Sequence, residues 1–305
     1  MTVTTSSFIA DLKPVAKASF NGGGNNYVSL HDKIAEVMNT NDQYEEYVAY
    51  SEMPSAVLKP EGQSVEFFDG RQFFTTRIRN ATYAIGFNIT LEAQRYNKGI
   101  INWVAKRSMM LKRSLLEVKD DLVTQIFNRG FNSSYTYGDG KEFFSTAHPD
   151  AVGGTYQNKL TTDVDFGEAG LEQALIDLRN MKNFTGLYSQ LKAERLMIPT
   201  QTMWDSIRIL KSDQRPGTAN NDINALRYGN ILQNDAIINE RLTDTDAWFV
   251  KTNLPAGEGV IMQISIPDTL DTDSNSDTFS TKFTAHMACG VGVVDPHCYY
   301  ASTGA

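Results

Sequence analysis

Hydrophobic positions recur along this chain with two periods, and the switch between them marks its elements. Tyr83, Ile85, Phe87 and Ile89 alternate strictly with Ala84, Gly86 and Asn88, the period of a strand with one buried face. Just beyond, Ile100, Val104, Leu111, Leu115, Val118, Leu122 and Ile126 recur at threes, fours and one seven, which puts them on one face of a long helix. Thr90 stands where an N-cap belongs, Glu92 suits the positive end of a helix, and Gly130 sits at the expected C-terminal stop. A helix over 100–128 would measure about 43 Å at 1.5 Å per residue, which makes it the spine of the molecule.

Before this strand and helix the pattern is weaker. Residues 1–50 are polar and rich in Asn, Gly and Ser, including Asn21-Gly22-Gly23-Gly24-Asn25-Asn26, with one short helical stretch near His31 to Met38. Such a segment buries little by itself and reads as an arm outside the core. From Val57 to Ile89 the signal is strand, with Val65, Phe67, Phe68, Phe73, Phe74 and Ile78 set around Asp69-Gly70, a dipeptide suited to a tight hairpin turn. Two arms of about ten residues would project about 33 Å, too long for a hairpin to be stable alone in water. Arg71, Arg77 and Arg79 carry its second half, while Asp42, Glu45, Glu46 and Glu52 make the preceding segment acidic. These charges suit contact between neighbouring copies, with solvated charge as the alternative.

After the spine, Gly138-Asp139-Gly140 and Gly153-Gly154 flank Phe143 and Phe144 in a stretch of short hairpins or loops. A mixed unit begins near Asp165. It holds a helix over 166–181 with Leu171, Leu175 and Leu178 inward, a strand over 196–198, a helix over 202–210, a loop over 214–221 and a buried strand at Trp248, Phe249 and Val250. Near the end Met262, Ile264 and Ile266 alternate, as do Phe279, Phe283, Ala285 and Met287, giving two antiparallel strands about the acidic loop 268–277. The fold class is α+β.

With 305 residues, 41% of them hydrophobic, the chain can bury a substantial core. Its net charge of −8, from 28 basic and 36 acidic residues, argues against a protein that mainly grips nucleic acid, so any DNA contact should be local and weak. The opening MTVTTSSFIADLKPV has neither a basic leader nor an apolar core segment, and no run of about 18 apolar residues occurs, so neither export nor membrane contact is expected. Cys289 and Cys298, the only cysteines, are read as thiols.

Candidate chemistry is sparse. Asp271, Asp273, Asn275 and Asp277 alternate like the first ligands of a calcium loop, but Ser276 stands where glycine is needed and Lys282 where a bidentate glutamate is needed. Asp295, His297 and Cys298 could form a metal or thiol site; a strand end with a buried thiol and a surface imidazole is the alternative, and His148 is read as a loop histidine. Gly290 and Gly292 lack the third glycine of a dinucleotide site. No catalytic residue, metal site or cofactor is assigned. Lys98, Lys106, Arg107, Lys112 and Arg113 cluster on the spine, as either a polyanion-facing or a solvated surface, and Trp103 and Met110 are read as packing.

The parts then match a known pattern. Thr82-Tyr-Ala-Ile-Gly-Phe-Asn-Ile-Thr90 leading into the spine, Phe143-Phe-Ser-Thr-Ala-His-Pro149, Gly153-Gly-Thr-Tyr-Gln-Asn158, Asp165-Phe-Gly-Glu-Ala-Gly-Leu171 and Val294-Asp-Pro296 resemble the major capsid proteins of tailed bacteriophages with the Hong Kong 97-like fold, especially the Mu-like major head subunit group. The resemblance implies an arm at 1–50, an extended loop at 51–88, a peripheral domain with the spine at 89–160, an axial domain at 161–255 and a return to the peripheral domain at 256–305. It implies a non-enzymatic subunit that assembles in the host cytoplasm into pentamers and hexamers of an icosahedral virion capsid around double-stranded DNA. Phe67, Phe68, Arg71, Phe73, Phe74, Arg77 and Arg79 then make intersubunit contacts, and Lys106, Arg107, Lys112 and Arg113 face the genome weakly and non-specifically. A portal, a separate scaffolding protein and, on some shells, a decoration protein would be partners. A covalent crosslink is not expected, since no lysine, asparagine and glutamate trio maps onto this chain. An encapsulin-type cage shares the implied fold, and a thiol or metal-dependent hydrolase at Asp295, His297 and Cys298 is the reading outside it.

Overall fold

The computed structural model describes residues 5–24, 27–70, 72–215, 222–229, 232, 235–275 and 277–304, with the side chains of 5–11 excepted. In chain order the elements are α1 (Thr5–Gly22), α2 (His31–Ile34), β1 (Glu36–Asn39), β2 (Tyr44–Tyr50), β3 (Gln72–Arg79), β4 (Ala81–Thr90), α3 (Leu91–Tyr96) and α4 (Ile100–Asn128). There follow β5 (His148–Pro149), β6 (Thr155–Tyr156), α5 (Glu168–Asn180), β7 (Ala193–Ile198), α6 (Met203–Lys211), α7 (Ala225–Tyr228), β8 (Ile237–Ile238), β9 (Trp248–Thr252), β10 (Val260–Asn275), β11 (Ser280–Val293) and β12 (Tyr299–Ser302). None of these helices is long and apolar enough to cross a membrane among the described residues.

The spine α4 has the limits its periodicity predicts. Ile100, Val104, Leu111, Leu115 and Ile126 are buried, and Val118 and Leu122 pack partly buried against the same core. Its stop is a backbone bond from Gly130 N–H to the Phe127 carbonyl. The Thr90 cap is real but serves α3: Thr90 Oγ1 accepts from Ala93 N–H at 3.4 Å, while α4 starts after Gly99 with no side-chain cap. Beneath the spine lies a four-stranded sheet in the order β1-β10-β11-β4. The alternating β4 pairs antiparallel with β11, and Phe87 stacks on Phe283 with ring centroids 5.0 Å apart.

Three expectations are corrected here. First, the acidic stretch 268–277 is mostly strand: Asp271 pairs with Thr284 and Asp273 with Lys282 in the β10-β11 ladder. Its polar alternation is that of a strand edge wet on one side, and Phe279, expected inward, is exposed in the turn with φ of 46°. Second, the N-terminal segment is no free arm. Leu12, Ala16 and Phe20, spaced by one helical turn, are buried against the spine and the sheet, and the residues expected to be helical near 31–38 divide into α2 and the strand β1.

Third, the projecting ribbon pairs differently. β3 pairs antiparallel with β2, from Tyr44 opposite Arg79 to Tyr50 opposite Gln72. Asp69-Gly70 therefore closes no tight turn; residues 51–70 form a long connection without helix or strand. A local turn signal lost here to a non-local pairing, because β2 offers an alternating partner that the segment around Val57–Val65 does not.

The second sheet, β12-β9-β7-β8, is covered on both faces. Leu171, Leu178, Leu196, Trp248, Val250 and Tyr300 form one core with α5. Phe249 and Tyr299, one residue out of phase, face the other core with Phe127, Phe143 and Phe144 at the end of the spine. β10 and β11 belong to the first sheet, but β12 pairs with β9 in the second, so residues 256–305 are divided between the two sheets.

Candidate functional site

The feature least covered by the rest of the chain is the connection that follows β2; the β2-β3 ribbon itself packs on the body through Ile78 against Ile261 and Tyr47 against Gln263. Its base is tied down within the chain: Phe73 and Phe74 meet the Phe184 ring at centroid distances of 5.5 and 5.7 Å, and Asn183 donates to the Glu52 carboxylate. Beyond that base, every position over 52–70 is exposed, with Leu58 and Phe67 each at 90% and Phe68 at 50%. A run carrying Met53, Val57, Leu58, Val65, Phe67 and Phe68 in water is the kind of apolar surface that marks a contact site.

The charges expected to join neighbouring copies are partly used within the ribbon. Arg77 Nε donates to Glu46 Oε1 at 2.8 Å across the register pair, and its guanidinium lies 4.7 Å from the Tyr44 ring centroid. Of the seven expected contact residues, Phe67 and Phe68 are on the exposed loop, Phe73 and Phe74 seat its base, Arg77 is paired internally and Arg79 is exposed at the end of β3. Arg71 lies outside the described residues.

The spine cations divide as well. Lys106, Arg107 and Arg113 are exposed, with Arg107 over the Trp103 ring at 5.2 Å and Arg113 bonded to Glu117 at 2.9 Å. Lys112 points inward. It meets Asp268 at 2.6 Å, and Lys119 meets the same carboxylate at 2.8 Å. Burial alone would raise the Asp268 carboxyl, but the two ammonium groups outweigh it and hold it below the usual carboxylate range. Sequence periodicity could not find this triad, because Asp268 arrives from a strand 156 residues away.

A second buried carboxylate, Asp120 on the spine, fastens the N-terminal segment. It accepts from Leu30 N–H at 3.0 Å, His31 N–H at 2.9 Å, His31 Nδ1 at 2.7 Å and Tyr27 Oη at 2.7 Å. Asn158 does the same for the family-like motifs. Its side chain donates to the carbonyls of Phe143 at 2.7 Å and Pro296 at 3.0 Å and accepts from Ser145 N–H at 2.9 Å.

The catalytic alternative fails on geometry. His297 is buried, not on the surface; its Nδ1 meets Asp295 at 2.6 Å, its Nε2 meets the Lys182 carbonyl at 3.0 Å, and its ring stacks 4.0 Å from Tyr156. Both nitrogens are occupied, so neither can serve as base for a thiol. Cys298 lies in the aromatic core, and burial pushes its thiol well above the usual range, away from the thiolate a nucleophile needs. His148 is buried too, with Nδ1 2.5 Å from Asp139 and Nε2 3.1 Å from Asn158. Asp271, Asp273 and Asn275 sit in an extended ladder that cannot wrap a cation, and no metal-holding cluster occurs among the described residues.

Comparison with known proteins agrees with this picture of a scaffold with surfaces. A family model described as phage capsid protein matches residues 73–302. The procapsid protein of bacteriophage JBD30 superposes with a TM-score of 0.55 at 14% identity, covering 99% of this chain and 77% of that one. The capsid of cyanophage P-SCSP1u gives 0.57 at 11% identity over 91% and 88%. A virus-like particle from Pyrococcus furiosus gives 0.53 at 14% identity over 93% and 96%. No curated protein matches by sequence.

Proposed function

The chain belongs to the phage capsid protein family, with the Hong Kong 97-like capsid fold, and from that premise we propose how it builds its shell. Each copy lays the exposed connection 52–70 across a neighbour, where Leu58, Phe67 and Phe68 lose the water that surrounds them in the single chain. The observation that carries this is an extended apolar segment held firmly at its root and covered by nothing beyond it. Each contact is modest, and many of them sum by multivalency over a closed shell. Pentamers and hexamers arise from small adjustments between the two sheets' units, with a portal at one vertex and a separate scaffolding protein guiding assembly.

The shell encloses double-stranded DNA, touched weakly by Lys106, Arg107 and Arg113. Lys112 leaves that set because it is committed to Asp268. Substituting the three remaining cations with glutamine should impair DNA packaging or retention in the shells that form; full heads at normal yield would reject that contact. The affinity of the family-like motifs for the Mu-like head subunits rests on their sequence alone.

Electron microscopy of the expressed full-length chain, alone and with its scaffolding protein, tests the main proposal. Closed icosahedral particles with the 52–70 segment ordered on an adjacent copy are expected. A cellular cage is the second reading, since the fold is shared with the virus-like particle from Pyrococcus furiosus; protein cargo in place of nucleic acid inside the native particle would establish it.

A further inference from the structure

Between Glu92 and Glu117 the chain has six lysines and arginines and no acid, in a protein whose net charge is −8. The spine turns most of this stretch outward. Along its exposed surface, Trp103, Lys106, Met110 and Arg113 follow one another at spacings of three and four, flanked by Arg107 and Met109. Sequence periodicity assigns Trp103 and Met110 to packing, but Met110 is 58% exposed, Met109 40% and Trp103 37%. The Trp103 ring is held edge-on by Phe87 at 5.4 Å and by Arg107 over one face, so the part of it left exposed is a fixed apolar surface instead of a mobile one.

We propose that this face docks an acidic amphipathic helix of a partner protein during shell assembly. A DNA backbone offers phosphates to the three cations but nothing to bury the indole and two thioethers, whereas a helix with apolar and carboxylate positions at matching spacing satisfies both. From Trp103 to Arg113 the stripe rises about 15 Å, about three turns of such a helix. The inference rests on the shell reading above and names the chemistry of the scaffold that reading requires: its docking segment is acidic, with apolar residues on one side.

The test uses purified full-length chain before assembly and a fluorescein-labelled synthetic helical peptide with leucine on one face and glutamate on the other. Its lysine-for-glutamate counterpart and a short DNA duplex serve as comparisons. The glutamate peptide should bind and the lysine peptide should not. Met109→Gln with Met110→Gln, both at exposed positions, should weaken the peptide by about tenfold or more while leaving duplex binding unchanged. In the wild-type chain the peptide should slow peroxide oxidation of Met110, which needs no variant.

Equal binding of the lysine peptide, unchanged peptide affinity in the double variant, or no protection of Met110 would each overturn the proposal. So would protection of Met110 on assembly of the chain alone, which assigns the face to a sister copy, or loss of duplex binding in the double variant, which assigns it to nucleic acid. Failure of the shell reading shows separately, as absence of particles in the microscope.

Discussion

Replacing Asp268 by asparagine should destabilise the unassembled chain by about 3–5 kcal/mol, the usual cost of removing one partner from a buried ion pair. The carboxylate is shared by Lys112 and Lys119, and all three side chains are largely withdrawn from water. Asparagine keeps the shape but leaves two ammonium groups with no counter-charge between the spine and β10. Lys119 suffers most, since its side chain is only 7% exposed, whereas Lys112 at 20% can extend toward solvent. With an unfolding entropy of about 2.1 cal/mol/K per residue, or about 0.64 kcal/mol/K for 305 residues, the melting temperature should fall by about 5–8 °C. Differential scanning calorimetry at neutral pH reads this directly. Lys119→Met with Asp268→Leu should recover most of the loss, because an apolar replacement of the whole pair removes the desolvation cost as well. An Asp268→Asn variant that melts within a degree of wild type would refute the reasoning and return the acidic stretch to a solvated loop.

Other outcomes follow from the same packing. Both Asp268 and Asp120 have carboxyls held below their unfolded value, so their stabilisation is complete above about pH 4 and is lost as pH falls through the depressed values; acid titration of the melting temperature should show a steep drop only below that point, and Asp120→Asn should flatten it. Gly23→Val would place a Cβ 2.8 Å from the Met109 Cα, which should lift the end of α1 from the spine and speed limited proteolysis there by about tenfold or more. Burial pushes Cys289 up to about 11 and holds Cys298 well above the usual thiol range, so iodoacetamide should label neither in the native chain and both after unfolding; rapid native labelling of Cys298 would revive the thiol reading. Mature particles should run on denaturing gels as one band near 34.0 kDa, and a ladder would reveal a crosslink.

What could be read from the sequence was what local periodicity encodes. The spine's limits, the alternation of β4, the strands around Leu196 and Trp248 and the helix of Leu171 and Leu178 all declare which face is buried within a few residues of themselves. The failures are non-local. Leu12, Ala16 and Phe20 do carry a helical spacing, but Pro14 and the glycine run after Asn21 masked it, and only the spine's presence makes burying them favourable. Gly23 looked like flexibility and is a close approach of two backbones. The ribbon's partner strand, the Lys112–Asp268–Lys119 triad and the Asp120 anchor join residues about 20 to 160 apart, and a single sequence gives no pairing signal at that range. The charge pattern of the ribbon suited contact between neighbours, but register places Glu46 opposite Arg77 in the same copy.

The central claim is that the segment beyond the ribbon's root finds its partner on another copy. Replacing residues 53–70 by a short glycine-serine turn between Glu52 and Arg71 preserves β2, β3 and the Phe184 contacts, so the variant should fold and melt close to wild type. Cryo-electron microscopy of the two proteins, each expressed with the scaffolding protein, should show closed shells for wild type and only unassembled subunits or capsomers for the variant. Shells of normal size and yield from the shortened chain would contradict the account.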